Sequence, residues 1–269
     1  MKVKTIVLDG YGLNCGYETQ YSFELAGAEA ERVHINELIW KRKSLEDYHI
    51  LAFIGGFSYG DDHGAGVLEA SKIKYNTGVS IEDFVNDGKL VIGICNGFQA
   101  LVNFGLLPGF EKNYNSREVA LVSNDIGNFR DDWVSLGVNQ NSPCVFTKGI
   151  KKIDLPIRHA EGKFYAEKPV INRLNQNEQI VMRYSKDIMD RNDFPYNPNG
   201  SVEDIAGICD PTGRIFGLMP HPEAYNSFLN YPYWTRIKET YKRRGMTIPG
   251  EGEGIKIFRN GVEYVEENW

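Results

Sequence analysis

Short apolar-rich runs recur through the first hundred positions, and segments of helical spacing or glycine separate them. Val3 to Leu8, His49 to Ile54 and Lys89 to Ile94 read as strands buried on both faces, as in a parallel sheet. Arg32 to Ile35 is a shorter strand. Between these runs, Tyr17 to Ala28 has Tyr21, Leu25 and Ala28 on one helical face, and a second helix carries Val67, Leu68 and Ile73. A short helix is expected from Ser80, where Asp83 three positions on gives a capping signal. The segment from Asn96 to Leu106 reads as a helix stopped by Leu107-Pro108-Gly109. Strands alternating with helices predict an α/β fold, with a mostly parallel central sheet and helices on both faces.

The second half has a different rhythm. Glu118 to Ser123, Trp133 to Val138, Gln179 to Tyr184, Ile205 to Cys209 and Ile215 to Met219 are short strand-like runs. The last two flank Asp210-Pro211-Thr212-Gly213-Arg214, a turn-rich connection that predicts a hairpin. A small antiparallel layer beside the parallel core follows. Tyr233 to Arg243 reads as a helix, and Ile255 to Val265 as a weaker one because Gly261 lies inside it. No repeat, low-complexity tract or linker divides residues 1–269, so a single domain is expected.

Composition adds exclusions. The net charge of −6 gives no electrostatic reason for a nucleic-acid partner. The four cysteines, Cys15, Cys95, Cys144 and Cys209, form no C-x-x-C pair, which removes the usual zinc spacing and any disulfide framework. No apolar stretch is long enough to cross a bilayer, and Val3 to Leu8 begins without a signal core. A soluble cytoplasmic chain is the expectation.

The chemistry concentrates at Gly93-Ile94-Cys95-Asn96-Gly97. A nucleophile on a sharp strand-to-helix turn needs small residues two places to either side, and Gly93 and Gly97 stand there. The helix that follows aims its N-terminus at the sulfur and favours a thiolate. The Asn96 N–H is placed to hold an oxyanion. Taken alone, the segment also suits a buried structural cysteine. A thiolate nucleophile needs a base, and the base needs an orienter. Of the five histidines, His34 and His49 lie in or beside strands and read as structural. His221 ends the Ile215–Met219 run within Pro220-His221-Pro222-Glu223, where the prolines restrict the backbone and Glu223 is placed to take one imidazole nitrogen. His-x-Glu by itself is a weak signal; paired with the Cys95 elbow it points to a Cys–His–Glu triad.

Gly93-Ile94-Cys95-Asn96-Gly97-Phe98-Gln99, followed by Gly105-Leu106-Leu107-Pro108-Gly109, resembles the glutaminase motif of the class I (triad) glutamine amidotransferases. Gly55 to Asp61, His159 to Phe164, Tyr196 to Ser201 and Gly217 to Glu223 extend the likeness along nearly the whole chain. Within that family it looks like the glutaminase subunits of phosphoribosylformylglycinamidine synthases, which serve purine biosynthesis. The resemblance implies Cys95 as nucleophile, His221 as acid/base and Glu223 as its orienter. It implies an oxyanion hole from the Gly56 and Asn96 N–H groups, and glutamine contacts from Gln99 and from the His159-to-Gly162 loop, with His159 and Glu161 in it. It also implies no metal or cofactor on this chain: ATP and magnesium belong to a partner synthetase, which a small third subunit bridges in some complexes.

Three stretches depart from the commoner family pattern: Asp9 to Cys15, Asp62-His63-Gly64, and Ala160 in place of glycine. None touches the triad. Rival readings are an amidotransferase for a different synthetase, a thiol peptidase or chaperone of related fold, and an inactive glutamine-sensing relative. The peptidase group usually has His directly after the elbow cysteine, where this chain has Asn96.

Overall fold

The computed structural model describes residues 2–76, 81–186 and 196–269. In chain order its strands and helices are β1 (Lys4–Asp9), α1 (Gly16–Leu25), β2 (Glu29–His34), α2 (Ile35–Ile39), β3 (Ile50–Phe53), α3 (Val67–Asn76), α4 (Ile81–Asn86), β4 (Leu90–Ile94) and α5 (Asn96–Phe104). There follow β5 (Ala120–Ser123), β6 (Arg130–Val138), β7 (Lys152–His159), β8 (Glu161–Tyr165), α6 (Lys168–Gln176), β9 (Ile180–Ser185), β10 (Ile205–Cys209), β11 (Ile215–Leu218), α7 (Trp234–Arg243) and α8 (Ile255–Asn268).

Among the described residues, nine strands form one mixed sheet in the order β2-β1-β3-β4-β11-β10-β9-β6-β7, and β5 pairs with β8 in a separate two-stranded sheet. The first five strands are mutually parallel. From β11 onward every pairing is antiparallel. The parallel strands β3, β4 and β11 are buried at every position, because helices cover both faces. Helix α5 packs on α3, while α1 packs on α8 with Phe23 and Phe258 edge to face, 4.9 Å apart. The chain steps one way along the sheet from β1 to β2 and the other way from β3 to β4, so right-handed crossovers set their helices on opposite faces.

Several expectations need correction. Helix α1 ends at Leu25 and buries Gly16, Thr19, Ser22 and Phe23, while Tyr21 lies on its exposed side. The Ser22 and Thr19 hydroxyls bond the carbonyls of Glu18 and Cys15, which lets polar residues enter the core. Strand β2 starts earlier than expected, at Glu29, and Ile35 opens α2 instead of closing the strand. Helix α5 stops at Phe104 because Gly105 adopts a left-handed C-cap, three residues before Pro108. The expected helix start at Ser80 lies outside the described residues; α4 runs from Ile81. Helix α8 is longer than expected, and Gly261 serves it: a Cβ there would lie 2.8 Å from the Phe146 ring.

The His159-to-Gly162 stretch is no loop but the junction of β7 and β8. Both strands escaped notice because Pro156 interrupts the apolar pattern of β7. That strand is the outer edge of the sheet, where a missing N–H is tolerated. The hairpin between β10 and β11 forms as expected. Asp210 organises it by accepting from the N–H groups of Thr212, Arg214 and Ile215 and from the Tyr114 hydroxyl.

Candidate active site

The loops that leave the carboxyl ends of β1, β3, β4 and β11 meet above one stretch of sheet, as ligand sites do in parallel α/β folds. They bring Cys15, Gly55-Gly56, Cys95 and His221 together.

Cys95 joins β4 to α5 with φ 53° and ψ −108°, a conformation that costs roughly 1–3 kcal/mol in an L-residue. The flanking glycines make the turn possible. A Cβ on Gly93 would lie 2.6 Å from Leu101 Cδ1, and one on Gly97 would lie 2.2 Å from the Phe53 carbonyl oxygen. The Cys95 N–H donates to Leu218 on β11 (2.8 Å), and its thiol donates to the Arg158 carbonyl on β7 (3.6 Å). The first N–H groups of α5, beginning with Asn96, have no acceptor within the helix.

The His221 ring is buried, and its Nδ1 lies 2.6 Å from Glu223 Oε1, itself fully buried. The backbone N–H of His221 donates to Pro156 on β7 (2.8 Å). Nε2 completes no hydrogen bond among the described residues. Burial opposes protonation of the ring. The negative charge of Glu223 first, then the neighbouring Cys95 and Cys15 sulfurs, outweighs it and holds the imidazole well above its ordinary range. The environment therefore favours an imidazolium at His221. Gly55 leaves room for the His221 ring rather than lining an open pocket: a Cβ there would stand 2.7 Å from His221 Cε1. Gly56 has φ 148°, and residues Gly12 to Asn14 press on it, with a Cβ meeting Leu13 Cα at 2.7 Å.

That contact gives the divergent Asp9–Cys15 stretch a structural role. Asn14 and Cys15 donate their N–H groups to the Gly55 carbonyl, and Phe57 donates to Gly12. The same loop brings Cys15 Sγ to 3.9 Å from His221 Nδ1. Burial pushes the Cys15 thiol up to about 11, so it stands beside His221 as a neutral group. Sequence reasoning missed Cys15 as a site neighbour; the available signal was its position just past the end of a central parallel strand.

The expected glutamine contacts are more mixed. Gln99 is buried and its amide is already engaged: Nε2 donates to the Glu161 carbonyl, and Oε1 accepts from Asn96 Nδ2 (3.3 Å). It braces β8 against α5. His159 is also buried, with Nδ1 3.1 Å from Asn124 Oδ1. Burial, then the nearby His221, pushes it down to about 3, so it stays neutral behind the His221 ring. Glu161 is half-buried. Asn199 Nδ2 donates to the Gly162 carbonyl (2.8 Å) and its Oδ1 accepts from Ser201, so the Asn197-Pro198-Asn199-Gly200-Ser201 turn supports this junction.

The model of the CobB/CobQ-like glutamine amidotransferase domain matches residues 2–265. The chain belongs to this amidotransferase family. The phosphoribosylformylglycinamidine synthase subunit PurQ of Methanococcus maripaludis is 47% identical over 264 residues, 97% of each chain. The subunit of the same name from Dehalococcoides mccartyi is 46% identical over 99% of each. The solved structure of PurLQS from Thermotoga maritima contains a chain that superposes with a TM-score of 0.70 at 32% identity; the match covers 98% of this amidotransferase and all of that chain. No helix among the described residues is long and apolar enough to cross a membrane.

Proposed function

We propose that this amidotransferase is the glutaminase subunit of a phosphoribosylformylglycinamidine synthase. The Cys95 thiolate attacks the side-chain amide carbon of glutamine, and the Gly56 and Asn96 N–H groups receive the oxyanion, each donor contributing roughly 3 kcal/mol in comparable sites. His221, oriented by Glu223, protonates the departing ammonia. The γ-glutamyl thioester left on Cys95 is hydrolysed by water that His221 deprotonates, releasing glutamate. Ammonia passes to a separate synthetase that uses ATP and magnesium to convert formylglycinamide ribonucleotide to its amidine, with or without a small bridging subunit. This chain's own chemistry calls for no cofactor, and the reaction belongs in the cytoplasm.

The observation that carries the reading is the buried His221–Glu223 pair, 2.6 Å apart, set beside a strained elbow cysteine. It occurs in a chain alike end to end to subunits bearing that name. A peptidase of related fold would take its base from the elbow helix, and here the base comes from the end of β11. The experiment is co-purification with the organism's synthetase, followed by glutamine-to-glutamate and amidine assays. Glutaminase turnover that rises when the liganded synthetase is added, together with glutamine-dependent amidine formation, is expected. Turnover of glutamine without amidine would point to a different synthetase, and no turnover in the complex would sink the catalytic reading.

A further inference from the structure

Asp61 belongs to the loop that follows β3, at φ 54° in the left-handed region. Its Oδ1 accepts from Asn96 Nδ2 (3.0 Å), so the residue after the elbow cysteine grips this carboxylate directly. Asn96 is fully buried, and its Nδ2 serves two acceptors, Asp61 Oδ1 and Gln99 Oε1. Those bonds fix the orientation of the amide and leave Asn96 Oδ1 as a buried acceptor with no donor among the described residues. Glu161, whose backbone Gln99 holds, lies close enough to repel Asp61. Burial first, then Glu161, pushes the Asp61 carboxyl up to about 6. Among the described residues no Lys, Arg or His forms an ion pair with either carboxylate.

We propose that Asp61, with Asn96 Oδ1 and Glu161 beside it, is the seat of the α-ammonium group of the glutamine substrate and sets the preference for an amino acid over a simple amide. The inference rests on the glutaminase reading above. The three groups present acceptors and negative charge, and an ammonium brings three donors and no acceptor. An α-carboxylate would be repelled from the same place. Reach agrees as well. The α-carbon of glutamine is three carbon–carbon bonds from its amide carbon, so an amide at Cys95 Sγ carries its amine across the neighbouring Asn96 side chain. The bound ammonium would supply the missing donor to Asn96 and the missing counter-charge to Asp61.

Asp61→Asn isolates the charge. Asn tolerates the left-handed backbone, and its Oδ1 still accepts from Asn96. The assembled enzyme is assayed with glutamine and with glutaramate, which has the same amide and no α-amino group. The advantage of glutamine in kcat/KM is expected to fall about tenfold or more in the variant, through KM for glutamine, with glutaramate little changed. An unchanged ratio, or an equal loss on both substrates, overturns the proposal. Calorimetric binding of glutamate and glutarate makes the same comparison without turnover. Absence of turnover would count against the glutaminase reading. A missing preference for the amino compound, or one that Asp61→Asn leaves intact, would count against the ammonium seat. Should Asp61→Asn fail to fold, Glu161→Gln is expected to narrow the same ratio by a smaller factor, and no narrowing overturns the proposal.

Discussion

The two halves of the sheet contribute to the site in different currencies. The parallel half, β2-β1-β3-β4-β11, delivers side chains and sharp turns: Cys15, Gly55-Gly56, Cys95 and His221 all follow the carboxyl ends of its strands. The antiparallel half delivers mainly backbone. Pro156 on β7 accepts the His221 N–H, and Arg158 on the same strand accepts the Cys95 thiol. Parallel strands all end on one side, so their loops accumulate at a single edge. Antiparallel strands end alternately at both sides, but a strand running past the site offers its carbonyls as fixed acceptors. The proposed reacting groups and the groups that hold them therefore come from separately organised regions.

The largest expected effect lies wholly in the parallel half. Cys95→Ser keeps the elbow but exchanges the thiol for a hydroxyl that ionises far less readily. Glutamine-dependent turnover is expected to drop at least about a thousandfold. Assayed with the synthetase and concentrated ammonium salt, the same variant is expected to form product at near-normal rates; loss of that activity too would make Cys95 a docking residue. Glu69 on α3 tests what this half conceals. It is fully buried, its two oxygens have no hydrogen-bond partner among the described residues, and burial pushes it up to about 8. Folded Glu69 thus keeps its proton in a range where the unfolded chain has lost it. This contribution to stability is full below the ordinary carboxylate range and is lost as pH rises toward 8. Urea unfolding of Glu69→Gln should match the parent at pH ~4 and exceed it by about 5 kcal/mol at pH ~9. Equal pH slopes for the two proteins would show that the carboxyl is not held neutral.

Glu223→Ala should reduce kcat by roughly a hundredfold, because it removes the orienter and leaves burial to act on His221 with less opposition. The alkaline limb of the pH–rate profile is expected to move to lower pH; a fixed limb would mean that another group sets the charge of the base. The smallest effects compare the halves directly. Gly97→Ala thrusts a methyl against the Phe53 carbonyl and should cost about 2 kcal/mol by denaturant unfolding. Gly137→Ala, on β6, meets nothing closer than 4.0 Å and should stay within about 0.5 kcal/mol. Similar losses at both positions would remove the contrast in local tightness.

Legibility in the sequence followed the same division. Strands β1, β3 and β4 could be read to within a residue or so because burial on both faces makes them continuous apolar runs. Strands β7 and β8 were missed: Pro156 and alternating polar residues hide an edge strand and a two-stranded sheet. Helix α6 was missed as well, since only Ile171 and Leu174 are buried within it. The Cys95 elbow and the His221-x-Glu223 spacing are local in sequence and were visible. Cys15 and Asp61 were not, because they reach the site through the lateral order of strands and a left-handed loop, neither of which leaves a periodic trace.

Strand β11 occupies the middle of the sheet yet is the last strand to leave the ribosome. Until residues 215–218 emerge, β4 has an open edge on the side that faces β10, and the two halves have no strand between them. Such an edge is a template for pairing with other chains. A nascent or truncated product ending before Ile215 is therefore the aggregation-prone form of this protein. Fragments cut there should appear in the insoluble fraction, while the full-length chain, with its central strand inserted, remains in the supernatant.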